Sequence, residues 1–147
     1  MALNDIFLAL KKYSNMDLQP PCGHNTVLEF EKNNRIELPV EYKELLALFN
    51  GGEIFIPGTT IFGLNDLSYS IKKENRHDLR ALFSIPNTYL IIGKLNFGDF
   101  ICINLNAPFD VIQWDHENDL EYCNWSSITE WLNDEIENYK ANEEGEP

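Results

Sequence analysis

Residues 36–52 read Ile-Glu-Leu-Pro-Val-Glu-Tyr-Lys-Glu-Leu-Leu-Ala-Leu-Phe-Asn-Gly-Gly and contain both ends of one predicted helix. Pro39 stands at the start, where a helix can begin because its first N–H groups need no intrahelical acceptor. Asn50-Gly51-Gly52 stands at the end, since asparagine and glycine adopt the left-handed conformation that stops a helix. The apolar residues between these ends recur at helical spacing and predict one buried face: Tyr42, Leu45, Leu46 and Phe49.

The residues before this stretch predict two further helices. The first has an apolar face formed by Leu3, Ile6, Phe7 and Leu10. A loop rich in proline and glycine, residues 20–23, ends it. Thr26-Val27-Leu28-Glu29 matches a capping box, in which the Thr and Glu side chains accept hydrogen bonds from free backbone N–H groups. This box predicts a short helix that ends at about Asn33.

After Gly52 the residues favour strands. Glu53–Ile56 and Ile61–Leu64 lie on either side of Pro57-Gly58, which predicts a hairpin. The segment from Asn65 to Phe83 is polar and carries both charges, and its spacing fits one or two surface helices or a long ordered loop. Three predicted strands follow, Tyr89–Ile92, Asp99–Asn104 and Val111–Asp115. Residues 121–123 are compatible with a fourth strand.

A second capping box, Ser127-Ile128-Thr129-Glu130, opens a closing helix over about Ser127–Lys140. The apolar face of this helix consists of Ile128, Trp131, Leu132, Ile136 and Tyr139. Glu135 falls within the same arc, and no pattern explains it. Helices first, neighbouring strands next and a closing helix predict an α+β domain. We expect a mostly antiparallel sheet of about four to six strands, flanked by N-terminal helices and a C-terminal helix. The expected single domain covers residues 1–141, and residues 142–147 would form a flexible acidic tail.

Composition excludes several classes of function. The chain carries 24 Asp and Glu against 11 Lys and Arg, a formal net charge of −13 at pH 7. Nucleic-acid binding requires a basic face that displaces counterions from phosphate, so we expect no nucleic-acid partner. No apolar run approaches the ~20 residues that span a bilayer, so we expect no membrane partner. Residues 1–12 do not resemble a signal peptide, which favours a cytoplasmic location. The three cysteines fit no disulfide framework and indicate reduced thiols: Cys22, Cys102 and Cys123.

The negative charge is concentrated at the carboxyl end. Met1–Trp114 has a net charge of −3, whereas Asp115–Pro147 holds 11 acids and one base, a net charge of −10. In the closing helix Glu130, Asp134 and Glu137 fall on one stripe, where each like-charge pair costs about a few tenths of a kcal/mol. Because this pattern does not help the helix, it predicts a surface that binds a basic protein. The residues expected to contact that partner are Asp115, Glu117, Asp119, Glu121, Glu130, Asp134 and Glu137.

Catalytic and metal-binding patterns are weak. Cys22 and His24 offer a nucleophile and a base, but no third member of a triad can be assigned. The segment 115–119 offers oxygen and nitrogen ligands without the H-E-x-x-H or calcium-loop spacing. The Gly-Gly pair at 51–52 follows a helix rather than a strand and lacks Gly-Lys-Ser/Thr, which argues against a phosphate loop. We therefore expect no enzymatic activity, no cofactor and no metal.

The predicted helix over residues 39–49 and its borders resemble the signature of the SUKH superfamily. In that signature a short helix leads to Leu-Pro, a Tyr-bearing helix and an Asn-Gly-Gly stop, here Leu38-Pro39, Tyr42 and Asn50-Gly51-Gly52. The resemblance continues through Phe62-Gly63, Tyr89-Leu90-Ile91-Ile92-Gly93, Gly98-Asp99, Val111-Ile112-Gln113-Trp114 and Trp131-Leu132. It covers roughly Asn25 to Asn138 and implies an α+β sheet flanked by helices, with no catalytic residues.

The resemblance also implies a function. Bacterial members are immunity proteins that bind and neutralise a cognate toxin, commonly a nuclease, and fungal members are regulatory scaffolds. The absence of long low-complexity extensions favours the small bacterial type. We therefore expect a monomer or weak dimer that occludes a cognate toxin with a basic surface. An alternative stays open: a cytoplasmic regulatory or adaptor module whose partner is unrelated to any toxin, bound through an apolar or neutral surface.

Overall fold

The computed structural model describes residues 2–65 and 69–145, and within them six helices and seven strands. The helices are α1 (Leu3–Tyr13), α2 (His24–Asn34), α3 (Val40–Leu48), α4 (Ile71–Glu74), α5 (His77–Leu82) and α6 (Ile128–Gly145). The strands are β1 (Met16–Leu18), β2 (Gly52–Ile54), β3 (Thr59–Ile61), β4 (Tyr89–Leu95), β5 (Phe100–Asn104), β6 (Val111–Asp115) and β7 (Leu120–Trp125). The predicted α+β class is confirmed.

The strands of the described residues form one sheet in chain order, from β1 to β7, and each is antiparallel to the next. The expected antiparallel sheet is therefore confirmed, with seven strands rather than four to six. The expected hairpin forms as β2–β3, but β3 ends at Ile61, where the predicted strand Ile61–Leu64 begins. The strand compatible with residues 121–123 is β7. The sequence patterns did not predict β1, because three residues are too few to show an alternation. Only the pairing of β1 with β2, such as Asp17 opposite Glu53, makes it a strand.

Both faces of the central strands are covered. On one face the closing helix α6 packs against β7, where the rings of Trp125 and Trp131 lie 6.5 Å apart. On the other face the ring of Phe83 lies 5.0 Å from that of Phe100, and Trp114 Nε1 donates a hydrogen bond to the Phe83 carbonyl at 2.9 Å. The apolar runs in β5 and β6 follow from this double coverage, since both sides of each strand lie in the core.

Helix α3 has the predicted boundaries within one residue at each end and the predicted buried face. Its Tyr42 hydroxyl donates to the Phe62 carbonyl at 2.6 Å, so a polar atom inside the core is satisfied. Beyond its end, Asn50 Oδ1 accepts a hydrogen bond from Leu64 N at 2.7 Å. The helix ends with Phe49 as an extended C-cap (φ −160°, ψ 145°), so the predicted left-handed stop is wrong, and the first left-handed residue after the helix is Gly51 (φ 81°). Asn50 instead fastens the chain to the segment that follows β3.

One predicted helix start is wrong. Helix α2 begins at His24, with Gly23 as its N-cap, so Thr26 lies inside the helix and the expected capping box does not form. Gly23 has an extended backbone (φ −71°, ψ 151°), which is the conformation that an N-cap needs. Its position after Cys22, whose N–H donates to the Leu46 carbonyl at 2.8 Å, sets the start of the helix.

The structure describes part of the segment between β3 and β4 and a closing helix longer than predicted. The stretch from Asn65 to Phe83 contains α4 and α5, while residues 66–68 lie outside the described residues. Helix α6 continues to Gly145, five residues beyond Lys140, because residues 141–144 are mostly good helix formers. The flexible tail expected over residues 142–147 lies partly outside the described residues, and it stays a prediction.

Candidate protein-binding surface

The turn between β6 and β7 is held by the side chain of Asp115. Its Oδ1 accepts hydrogen bonds from the N–H groups of Glu117 at 2.8 Å and Asn118 at 3.1 Å, and its Oδ2 accepts from Asn118 Nδ2 at 2.9 Å. These bonds, led by that of the Asn118 side chain, lower the pKa of the Asp115 carboxyl. Asp119 completes the turn in the left-handed region (φ 55°), which aspartate tolerates better than most residues. The turn therefore presents Glu117 and Asp119 to solvent.

Behind the turn lies a buried carboxylate that the sequence patterns did not single out. Asp99 accepts hydrogen bonds from Gln113 Nε2 at 2.8 Å and from His116 N at 3.1 Å, and it lies 2.6 Å from His116 Nδ1. Asp99 is 6% exposed, so these hydrogen bonds compensate for the free energy of removing its carboxylate from water. The sequence feature that could have identified this carboxylate is an aspartate, Asp99, directly before the apolar strand that begins at Phe100.

A metal site at this cluster is not favoured by the geometry. One ligand atom each from Asp99, Asp115 and His116 falls within 4.8 Å of the others. However, Asp99 and Asp115 already accept hydrogen bonds from the protein through both of their oxygens. Binding a cation would require these residues to give up bonds that hold the turn. The arrangement fits a rigid support for the surface above it.

Thiol chemistry is also disfavoured. Cys22 is buried, burial raises the pKa of its thiol, and His24 is exposed on α2, so the two residues share no site. Cys123 lies 3.8 Å from Gln113 Oε1. Burial, and then the carboxylates of Asp134, Glu121, Glu135 and Asp99, raise the pKa of the Cys123 thiol. A thiol surrounded by carboxylates is a poor source of thiolate, which is the reactive form.

The three acids of the α6 stripe are exposed, yet each has a partner within the chain. Glu130 accepts hydrogen bonds from Ser126, through its N–H at 3.2 Å and through its hydroxyl, while Glu130 N donates to Ser127 Oγ at 3.0 Å. Asp134 Oδ2 accepts from Trp125 Nε1 at 3.2 Å. Glu137 lies 3.5 Å from Lys140 Nζ. Glu130 thus takes part in capping α6, as the Ser127-Ile128-Thr129-Glu130 pattern predicted, and Asp134 joins α6 to β7. The expectation that the acidic stripe does not help the helix is therefore wrong for these two residues.

The sheet acids and the α6 acids lie close to one another. The carboxylates of Glu121 in β7 and Asp134 in α6 both help to raise the pKa of the Cys123 thiol, so both lie near Cys123. Around this point the described residues expose most of the predicted contact residues, and Asp115 is half-buried at the turn. Lys140 is the sole cation in Asp115–Pro147. We define the acidic surface as the carboxylates of the β6–β7 turn and β7 together with those of the exposed stripe of α6, and that these residues bind a partner together stays a prediction.

Two exposed aromatic residues border this surface, and neither was predicted. Tyr122 is 67% exposed because a β-bulge pairs Gln113 with Cys123 but Trp114 with Glu121, which leaves Tyr122 as the unpaired extra residue. Phe97, in the turn after β4, is 61% exposed. The two side chains line a groove of about 370 Å³ whose other walls include Asp115 and Glu117. Aromatic rings beside carboxylates suit an arginine or lysine side chain.

None of the helices in residues 2–65 and 69–145 combines the length and the apolar character needed to cross a membrane.

Comparisons with known proteins fit this architecture. A protein from Pseudomonas syringae pv. tomato, known from its crystal structure, superposes with a TM-score of 0.64 over 90% of this chain and 96% of that chain. At 15% identity this similarity shows the fold alone. No curated protein matches the sequence. The model of the SMI1 / KNR4 family (SUKH-1) matches residues 21–134, well over half of the chain. This family is generally non-catalytic, with immunity or regulatory roles, and the chain belongs to it.

Proposed function

We propose that the protein is a non-enzymatic immunity protein that binds and neutralises a bacterial toxin with a basic surface, such as a nuclease. The observation that carries this proposal is the set of exposed carboxylates on the β6–β7 turn, on β7 and on α6. Membership of the SMI1 / KNR4 family fits an immunity-type role. A nuclease needs cations to hold phosphate, so an acidic inhibitor matches it in sign.

Electrostatics supports fast capture of such a partner. The net charge of −10 in Asp115–Pro147 is concentrated in the part of the chain that forms the acidic surface. Screening acts over about 8 Å at physiological salt, so an approaching protein responds to this local charge more than to the total. Complementary fields raise association rates toward about 10⁸–10⁹ M⁻¹s⁻¹ at low salt. An inhibitor must bind a toxin before the toxin acts, so a high rate is useful.

The exposed rings of Tyr122 and Phe97 support specific binding, in addition to the attraction between opposite charges. Interfaces are enriched in tyrosine, phenylalanine and arginine, and a few buried anchors supply most of the binding energy. Tyr122 and Phe97 expose their rings without packing into the core. In the proposed complex they contact arginine or lysine side chains of the toxin, whose charge is met by Glu117.

The test uses the purified product of a neighbouring toxin gene, with its association rate measured by stopped flow against ionic strength. We expect the rate to fall steeply with salt. The double variant Glu117→Lys/Glu121→Lys should lower the low-salt rate about tenfold or more, because two carboxylates become cations at the surface. The matched control Glu29→Lys/Asp78→Lys changes the net charge equally at exposed positions on α2 and α5 and should have a much smaller effect.

Two outcomes would remove this surface from the interface. One is an association rate that does not respond to salt, and the other is an equal loss in the two double variants. Co-expression provides a cellular measurement: the wild-type protein should protect a cell that expresses the toxin and should co-purify with it. Survival that does not depend on this protein would contradict the proposed function itself.

A further inference from the structure

A second groove lies at the opposite end of β7 from the β6–β7 turn, next to the start of α6, where Ser126 donates to Glu130. It has a volume of about 590 Å³ and opens between the start of α3, the end of β5, the β5–β6 loop and Ser126 before α6. Its apolar lining includes Leu38, Val40, Ile103, Leu105, Pro108 and Phe109. Ser126 follows the end of β7, whereas the β6–β7 turn precedes its start. The groove and the turn are therefore at opposite ends of a six-residue strand, about 15–20 Å apart.

Two of the lining residues have no evident role in the core. Val40 is 68% exposed in the first turn of α3. Phe109 is 42% exposed and has a φ of 65°, in the left-handed region that a bulky side chain adopts only at a cost. Strain of this kind persists where the surroundings or the function require it. Glycine or asparagine would suit the Phe109 backbone better, so the fold alone does not explain a phenylalanine there.

The rim of the groove is negative. Glu37 and Glu44 are exposed on it, and within residues 2–65 and 69–145 neither has an ion pair or a side-chain hydrogen bond. No lysine or arginine lines the groove, and the nearby Lys43 lies 3.7 Å from Glu31. An apolar floor beneath unpaired carboxylates complements a ligand that is apolar at its centre and cationic at its ends.

We propose that this groove docks a segment of a second protein that carries apolar side chains flanked by lysine or arginine. A volume of about 590 Å³ lies within the range of specific ligand sites and accommodates the side chains of a short segment. A second copy of this chain is a poor occupant, because its net charge of −13 brings like charges to the rim. The inference goes beyond the proposed function, since it needs neither the acidic surface nor a toxin.

The test uses NMR spectroscopy of the full chain with capped hexapeptides. In each peptide a central pair of Leu, Ile, Phe or Trp lies between two lysines on either side. A matched set replaces every lysine with glutamate. We expect at least one lysine peptide to shift the methyl signals of Val40 and Leu105 and the backbone signal of Phe109. The glutamate peptides should produce no such shifts, and the signals of Glu117 and Tyr122 should stay unchanged.

Variants separate binding from folding. Phe109→Asn removes the ring but keeps a residue that tolerates positive φ, so its unfolding midpoint in urea should equal or exceed that of the wild type. The same variant should weaken peptide binding about tenfold. Glu37→Gln/Glu44→Gln should weaken the binding of lysine peptides severalfold. The control Leu82→Asn, which removes an apolar side chain 70% exposed on α5, should leave peptide affinity unchanged.

Several results would overturn the inference. One is the absence of shifts at the groove for every lysine peptide up to about 5 mM. Others are equal binding of the glutamate peptides, shifts confined to the β6–β7 turn, and groove shifts that depend on protein concentration without peptide. The last result would identify a second copy as the occupant. Failure of the toxin experiment leaves these measurements unaffected, so the two proposals fail separately.

Discussion

Glu41 joins the first turns of two helices that lie far apart in the chain. It belongs to the first turn of α3, and its carboxylate accepts hydrogen bonds from Ile128 N at 2.5 Å, Thr129 N at 3.1 Å and Thr129 Oγ1 at 2.8 Å. The free N–H groups at the start of α6 are thus satisfied by a residue from another element, and the carboxylate also suits the positive end of the helix dipole.

This role predicts a stability loss at residue 41. Glu41→Ala should lower the free energy of unfolding by about 2 kcal/mol, because it removes charged hydrogen bonds and leaves partly buried donors unpaired. Urea denaturation near pH 7 measures the change. Glu44→Ala, an exposed position on the same helix, should stay within about 0.5 kcal/mol of the wild type. Equal losses in the two variants would contradict the capping role of Glu41.

Unlike the carboxylate of Glu41, that of Glu135 lies where burial disfavours its charged form. It lies on the sheet-facing side of α6, and burial, aided by the nearby Asp134 carboxylate, raises the pKa of Glu135 from 4.5, an effect that the Thr59 hydroxyl partly offsets. The folded state therefore binds this proton more tightly than the unfolded state. The contribution of Glu135 to the free energy of unfolding is therefore most favourable below pH 4.5. It decreases as the pH rises through 4.5 toward the raised pKa of the folded state.

We therefore expect Glu135→Gln to stabilise the protein near pH 7 by about 1 kcal/mol and to lose this advantage near pH 4, where the carboxyl is protonated. Urea denaturation at the two pH values measures the difference. Glu137→Gln is the control, an exposed neighbour on α6, and it should show no such gain near pH 7. A loss of stability near pH 7, or an equal gain at both pH values, would show that Glu135 is not a strained carboxylate.

At the scale of elements, Gly52 determines whether β1 joins the sheet. Its φ is 150°, and a Cβ built on it would lie 2.4 Å from the Asp17 carbonyl oxygen and 2.8 Å from Leu18 Cα. Both are backbone atoms of β1, which cannot move without breaking the pairing of β1 with β2. A residue larger than glycine is therefore incompatible with the edge of this sheet.

Gly52→Ala should lower the free energy of unfolding by about 3 kcal/mol or more and should expose the amides of residues 16–18 to hydrogen exchange. The matched control is Gly23→Ala, where an added Cβ meets nothing within 4 Å and the backbone is extended (φ −71°). That variant should stay within about 0.5 kcal/mol of the wild type. A Gly52→Ala protein with unchanged exchange at β1 would show that the close approach is not restrictive.

For the whole molecule, the excess of negative charge opposes compactness. A net charge of −13, much of it between residues 115 and 147, repels itself in the folded state more than in the expanded unfolded state. Raising NaCl from about 0.05 M to about 0.5 M shortens the Debye length severalfold and screens this repulsion. Stability should therefore rise with salt.

Over this change in NaCl concentration, the free energy of unfolding should rise by about 1 kcal/mol, which corresponds to about 2–4 °C in Tm for a chain of this size. Differential scanning calorimetry measures it. The variant Glu117→Gln/Glu121→Gln should start with a higher Tm at low salt and should respond less. A Tm that falls with NaCl in the wild type would mean that attractive ion pairs outweigh the repulsion, and the acidic surface would then be neutralised internally.

Much of the fold follows from local patterns in the sequence. The buried face of α3 and the strand Val111–Asp115 agree with the prediction residue by residue, and the α3 boundaries agree within one residue at each end. These features depend on neighbours within a few positions, such as apolar spacing and a proline start. Strand β1 and the start of α2 were not predicted, because β1 exists through its pairing with β2 and α2 begins where Cys22 meets Leu46.

The candidate site was less accessible to sequence reasoning. The sequence patterns identified an acidic segment and placed Glu121 and Asp134 on different elements, but not that both lie near Cys123. The sequence also did not predict that Glu130 accepts a hydrogen bond from Ser126, or that Asp134 accepts one from Trp125. Helical spacing indicates which side chains share a face, whereas their contacts with other elements depend on how those elements pack.

The sequence alone determined the α+β class, the α3 signature and the concentration of acids at the carboxyl end, since each is a property of residues close together in the chain. The tertiary structure decided what those acids surround. Asp99, Gln113 and His116 meet through the register of β5 and β6, and one extra residue in β7 turns Tyr122 outward. A shift of one residue in register reverses the face of every side chain, so only the assembled sheet could specify this surface.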